Sequence, residues 1–404
     1  MNDRSRFPHW RRGLAALGFG AAALLAACGG GGGGGGGGQL NVSLTDAQTC
    51  DYQDVFVTIT QVLVHRDAGA DEEDGGWIAV PMPVSPLRVD LMTLSNGVSQ
   101  ALGTLPLDAG TYEQVRLVLA ENAGGPPYAN QLTLANSTQV ALTTPSAQQT
   151  GLKLNVNMTI EAGQTAELVL DFDPCKSVVR AGNSGMYLLK PVITAYFDAV
   201  NAIQGYTVAG ATVSAQQGGA SVKATVADGT GRFVLWPVEP GAYDLVITAA
   251  DRANAVLTGV TVADDGVATV VVSEAGTPLV APPSATRSVG GDITTDVEAL
   301  NVDLAARQAL DGGPTIEVAA QPIAVSTGAP VAYSFSLAAA KPVRSAWASG
   351  TTAYAFADDA SSAGAYTVLA TPDAVGEPAQ ELPADISTDN DLDVNFVFDL
   401  VDGP

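Results

Sequence analysis

Ten consecutive glycines fill positions 29–38, directly after Cys28. A glycine loses more backbone freedom on ordering than any other residue and brings no side chain to a core. A run of this length therefore divides the chain into a leader before it and a folded body after it. The leader reads as an export signal. Arg4, Arg6, Arg11 and Arg12 give it a positive start, and the apolar stretch 13–27 is too short to span a bilayer comfortably.

The end of that stretch, Leu25-Ala26-Ala27-Cys28, resembles the bacterial lipobox, in which small residues fit the signal peptidase and the cysteine thiol receives diacylglycerol. The resemblance implies a signal peptide over 1–27 and a lipidated, palmitate-bearing Cys28 as mature N-terminus. An ordinary cleaved signal with an incidental cysteine is the alternative. Arg11-Arg12 also permits twin-arginine export, although the residues after the pair fit the general route better. Gly29 stands where lipoproteins retained at the inner membrane often carry Asp, which in a Gram-negative cell favours the outer membrane. Residues 28–38 then act as anchor and tether. Ten flexible glycines have an r.m.s. length of roughly 17 Å.

Charge narrows the partners. The chain has 18 Lys and Arg against 42 Asp and Glu. Loss of residues 1–27 removes four Arg and one Asp, leaving 14 against 41 and a net charge of −27. So acidic a body does not bind nucleic acid or anionic lipid by charge, and the acyl chains are left as the membrane contact. With Cys28 lipidated, Cys50 and Cys175 form an even pair in an oxidising compartment, and a disulfide is expected. It closes a loop of over a hundred residues and contributes about 4–5 kcal/mol in the chain-entropy model. Two free buried thiols are the alternative.

Runs rich in Val, Thr, Ile, Leu and Tyr alternate with Gly, Pro, Asn and Asp clusters at short spacing, and helical periodicity is scarce. This pattern predicts an all-β fold of tandem antiparallel β-sandwich domains behind the lipoprotein signal and poly-Gly tether. Strands are expected at 55–64, 114–119, 166–172 and 187–193, with a short helix at 90–94 before the Asn96-Gly97 turn.

The stretch 39–199 resembles the domain-of-unknown-function 4382 family of exported bacterial and archaeal proteins. The resemblance rests on landmarks in order: Leu44-Thr45-Asp46-Ala47, Trp77 before Val89-Asp90-Leu91, Leu107-Asp108-Ala109-Gly110-Thr111-Tyr112, Arg116-Leu117-Val118, Gly151-Leu152-Lys153, Leu170-Asp171-Phe172-Asp173 and Leu188-Leu189-Lys190-Pro191. Gln48 departs from the Pro that many relatives carry. The family implies a β-rich extracytoplasmic domain and no established activity.

Residues 204–280 form a second module. Asp228-Gly229 makes a turn, 232–235 alternates along a strand, and Pro240-Gly241 turns back into Tyr243-Asp244-Leu245-Val246-Ile247. This hairpin resembles the carboxypeptidase-regulatory-like, transthyretin-related sandwich, which is grouped with carbohydrate-binding-like folds. Fold resemblance does not carry a binding site with it. After a linker at 278–288, residues 289–404 repeat the theme faintly as a diverged sandwich, with expected strands at 333–337, 366–370 and 393–398.

Catalytic chemistry is thinly provided. Of two histidines, His9 leaves with the signal and His65 ends the first long strand. No nucleophile-elbow, zinc or nucleotide-loop motif is present. Asp389, Asp391 and Asp393 resemble the opening of a calcium loop, but Val394 stands where an EF-hand needs Gly and Leu400 where it needs a bidentate Glu. They are weak metal candidates, and no cofactor is expected. Asp171 and Asp173 share one face of a strand, opposite Phe172, where Asp46 and Asp51 meet them if the disulfide forms. Among aromatics, Trp236 before Pro237 is a candidate sugar platform, with Trp77 and Trp347 as lesser ones, and Tyr128 lies in the loop 121–130 beside two prolines. That loop and the acidic loop 67–76 are the expected contact surfaces.

The sequence thus points to a lipid-anchored envelope protein, a non-enzymatic binding or display module whose partner is an envelope protein or a glycan. A glycan-binding surface protein and a structural spacer in an envelope assembly are the alternatives, and a hydrolase is the least favoured. Metabolic labelling with a fatty-acid analogue tests the anchor. Label should enter the wild-type chain, and Cys28→Ala should abolish it.

Overall fold

Among the described residues nearly all regular structure is strand, as the hydrophobic pattern predicts. The computed structural model describes residues 36–46, 52–144, 151–182, 184–198, 201–264, 269–361, 363–373, 377–388 and 392–399. Among them the only helical pieces are a 3-10 turn, Leu91–Thr93, and one α-turn, Pro174–Ser177. The signal, Cys28, most of the glycine run, Cys50, Asp389 and Asp391 lie outside the described residues.

In the first stretch a four-stranded sheet runs in the order Val192–Phe197, Thr165–Asp173, Gly37–Asp46, Gln100–Asp108. Thr165–Asp173 and Gly37–Asp46 pair in parallel, and both outer pairings are antiparallel. Leu40, Val42 and Leu44 with Leu168, Leu170 and Phe172 share one core with Val55, Val57 and Leu117 from a second sheet. That sheet centres on Tyr52–His65 and Gly110–Leu119, the strands expected at 55–64 and 114–119. The helix expected at 90–94 is the 3-10 turn, started by the Asp90 side chain accepting from Met92 N.

The second sheet does not end with the first stretch. Through Val178–Ala181 it pairs in parallel with Thr315–Val325 and continues into Leu300–Ala309, Ala365–Pro372 and Gln380–Asp385. The sheet of the second stretch is likewise lengthened from outside, because Ala255–Val262 pairs in parallel with Val343–Ala346. A second core gathers on Val213, Phe233, Leu245 and Leu257, and a third on Val289, Leu304, Phe335 and Phe396.

Five local expectations change. The hairpin expected around Pro240-Gly241 does not form: Arg232–Leu235 pairs with Ala202–Tyr206 and Gly241–Thr248 with Thr212–Gln217, in different sheets, so the turn carries the chain from one sheet to the other. The 187–193 strand is two strands, Met186–Leu189 and Val192–Phe197, in different sheets. Pro191 has no N–H for a ladder, and Ser177 holds the jog, its carbonyl accepting from Lys190 N and its hydroxyl from Val192 N, both at 2.8 Å. The 393–398 strand is also divided, into Leu392–Asp393 and Phe396–Phe398, where Asn395 Oδ1 accepts from Asp292 N at 2.7 Å. The expected linker at 278–288 is packed, with Leu279 and Ala281 buried in the second core.

The last change concerns the glycines. Gly37 and Gly38 are not tether; they open the Gly37–Asp46 strand opposite Asp108 and Leu107. A Cβ on Gly38 would stand 2.8 Å from both the Gln164 carbonyl oxygen and Ile160 Cγ2, so only glycine lets the backbones approach. On Gly36 the nearest group would be Ala162 Cβ at 3.6 Å, an ordinary contact. Gly38→Ala should therefore lower stability by about 1–3 kcal/mol in a denaturant titration, whereas Gly36→Ala should leave the midpoint unchanged.

Candidate functional site

The sequence landmarks of the first stretch are mostly structural. Thr45 donates its hydroxyl to Leu94 O at 3.1 Å and Val98 O at 2.9 Å, fixing the loop after the 3-10 turn. Arg116 is buried, donates to Gln114 Oε1 at 3.0 Å and Ala70 O at 2.8 Å, and lies 4.4 Å above the Trp77 ring. Asp173 caps the Pro174–Ser177 turn by accepting from Lys176 N at 2.9 Å.

The expected contact loops are tied internally. His65 has its ring 4.8 Å from Trp77, and its Nδ1 and Nε2 lie 3.3 and 3.1 Å from the Asp67 and Gly75 carbonyls. In the acidic loop, Asp71 meets Lys153 at 3.4 Å and Asp74 accepts from Asp71 N at 2.7 Å. In the other loop, Asn130 N donates to Asn122 Oδ1 at 2.7 Å and Asn122 Nδ2 returns a bond to Asn130 O at 3.1 Å. Tyr128, in the same loop, is half-buried.

Trp236 is half-buried against Val169 and Tyr196 of the first stretch, and Trp347 packs on the second core. Cys175 is half-buried on the α-turn, while Cys50 lies outside the described residues. Asp393 is exposed at the end of its two-residue strand. Among the described residues no group of three or more His, Cys, Asp and Glu side chains converges to hold a metal ion.

What the fold brings together is the junction of the three stretches. On the outer face of Thr165–Asp173, Asp171 meets Lys223 from Ala220–Val226, Oδ1 to Nζ at 2.7 Å, with side chains 4% and 2% exposed. Beside them Lys176 Nζ lies 3.5 Å from Asp173 Oδ2 and donates to Ser221 O at 3.4 Å. Two side-chain amides stand in for strand partners. Asn96 Oδ1 accepts from Val234 N at 2.5 Å while its Nδ2 donates to Arg232 O at 3.2 Å. Gln216 donates from Nε2 to Glu317 O at 2.6 Å and accepts from Glu317 N at 2.9 Å.

Next to this junction opens a cleft of about 650 Å³. Tyr52, Arg180 and Tyr187 line it from the first stretch, Ser214, Gln216 and Asn254 from the second, and Glu317, Gln321 and Ser334 from the third. The Tyr52 and Tyr187 rings meet edge-on at 6.5 Å. The lining therefore combines aromatic edges with hydroxyl, amide and guanidinium groups, the mixture that recognises a polar ligand bearing some apolar surface. Sequence reasoning did not find this cleft, because its residues are scattered over all three stretches.

Residues 37–191 match the family model described as Domain of unknown function (DUF4382). The match covers the stretch whose landmarks carry the resemblance, and within this DUF4382 segment lie Tyr52, Asp171, Arg180 and Tyr187. No curated protein matches the chain. Among solved structures, the Bacillus anthracis TIE protein aligns at 12% identity and a TM-score of 0.17, over 90% of this chain and 50% of that one. The chain thus spans about half the length of that protein. A streptococcal ancillary pilin aligns at 8% identity and a TM-score of 0.19, over 89% and 99% of the two chains. At these scores neither alignment carries an argument.

Electrostatics at the junction are testable through Glu317, which faces the cleft from outside the DUF4382 segment. Burial pushes its carboxyl above the ordinary value, with Lys176 and Arg307 opposing. The folded chain then holds this proton more tightly than the unfolded chain. Its stabilising contribution is complete below the ordinary value of 4.5 and is lost as pH rises through the raised folded value. Glu317→Gln removes that loss. Between about pH 4 and about pH 7 the stability of the variant relative to wild type should rise, and a flat difference would contradict the assignment.

Proposed function

We propose that the chain is a lipid-anchored, non-enzymatic binding or display protein of the bacterial cell envelope, held at the outer membrane through acylated Cys28. In this reading Cys50 and Cys175 form the disulfide, and residues 204–280 are a carboxypeptidase-regulatory-like sandwich. No cofactor is invoked. The DUF4382 match supports an assignment without catalytic chemistry, and so does the use of Asp173, His65 and Arg116 as structural ties.

The observation that carries the binding reading is the cleft lined from all three stretches. Its volume falls within the roughly 300–1,000 Å³ of small-molecule sites, and its lining suits a glycan, whose hydroxyls pair with amides and whose C–H faces pack on tyrosine rings. The spacer alternative draws on the amide ties at Asn96 and Gln216, which suit a stiff body. A glycan array probed with the soluble chain lacking residues 1–28 separates the two. Binding to a restricted set of glycans is expected, with Tyr187→Ala weakening it by about tenfold, or 1.4 kcal/mol. Absence of any glycan signal, together with envelope proteins recovered by crosslinking in intact cells, would favour the spacer.

A further inference from the structure

The Asp171–Lys223 contact is not an ordinary ion pair. Asp171 shares its face of Thr165–Asp173 with Val169 and Asp173, opposite the Leu168, Leu170 and Phe172 side chains that enter the first core. The second stretch covers that face, with Trp236 on Val169 and Tyr196, and Lys223 enters beneath the cover. Nζ and Oδ1 lie 2.7 Å apart with side chains 2% and 4% exposed. Yet neither atom has a partner in hydrogen-bonding geometry among the described residues.

An ammonium carries three donors, and a buried ion is tolerated only when good geometry and further hydrogen bonds offset the loss of water. Here the two groups touch without that geometry. Burial also pushes the Asp171 carboxyl above its ordinary value, and Lys223 opposes the shift. One proton moved from nitrogen to oxygen leaves an amine against a carboxylic acid, which are the two reactants of amide condensation. In water, ionisation of both groups disfavours that condensation; a dry site removes the obstacle and expels the water released. Oriented intramolecular pairs reach effective concentrations on the order of 10⁵ M or more.

We propose that Lys223 and Asp171 are joined by an intramolecular amide bond that fastens the DUF4382 segment to the second stretch. The nitrogen lone pair attacks Cγ, the C–N bond forms, and the C–OH bond breaks. The hydroxyl leaves with a proton from nitrogen as water. No oxidant, reductant or co-reactant takes part. The product replaces two titratable groups by one neutral amide, which needs far less solvation than an ion pair. This bond is independent of any ligand in the cleft.

Mass spectrometry of the folded, purified chain decides the matter. The intact mass after disulfide reduction should fall short of the sequence mass by one water, and a protease digest should yield a branched peptide containing both Asp171 and Lys223. The Lys223→Met chain should show no deficit. An undiminished wild-type mass after prolonged incubation of the folded protein, with both residues recovered in linear peptides, would overturn the bond. So would a deficit that persists in Lys223→Met, since the water would then come from another pair. The wild-type measurement stands even where the variant fails to fold.

Discussion

Everything at the centre of this molecule depends on how two buried, oppositely charged side chains are accommodated where two sheets meet. Asp171 and Lys223 sit where Thr165–Asp173 turns its outer face to Ala220–Val226. A charge left alone there would cost several kcal/mol, so neither stretch can present this face to the other without its counterpart. Around the contact, Lys176 bridges Asp173 and Ser221, and the same α-turn carries Cys175. Attachment of the first stretch to the second is therefore specified by polar side chains, together with the apolar contact of Trp236 on Val169 and Tyr196.

The amide side chains extend the same principle. A strand edge offers N–H and C=O groups that need partners when another body covers them. Asn96 supplies both a donor and an acceptor to the Arg232–Leu235 strand, and Gln216 does the same for Glu317. Asn96 can do so because it adopts φ 60°, a left-handed conformation that Asn tolerates better than most residues. Its neighbour Gly97 follows at φ 79°, so the turn that looks like a simple hairpin signal is also a docking device. The cleft beside the junction follows from this mode of assembly: sheets tied at points leave a polar gap between the ties.

Much of the architecture was legible in the sequence. The strands around 55–64, 114–119 and 166–172 and the Asp228 turn into Arg232–Leu235 are set by alternation and turn chemistry, both local properties. Asp228 illustrates this, its carboxylate accepting from Thr230 N at 2.8 Å and Arg232 N at 3.1 Å within four residues. Legibility failed where a face of a strand is covered by a distant part of the chain. Ala220–Val226 is the clearest instance, because alternation would send Val222 inward and Lys223 out to solvent. Instead Val222 is 43% exposed and Lys223 2%, since the polar face of that strand meets another polar face.

Local physical chemistry, written in the sequence, thus determined the β character, the turns, the Asp90 and Asp173 caps and the acidic surface. Each depends on groups only a few residues apart or on composition. The lining of the cleft, the pairing of Val178–Ala181 with Thr315–Val325, the strand role of Gly37 and Gly38 and the meeting of Asp171 with Lys223 were decided by the tertiary structure. These joins link residues tens to more than a hundred positions apart. Period-two alternation tells which residues share a face of a strand. It carries no record of which other face that one will meet.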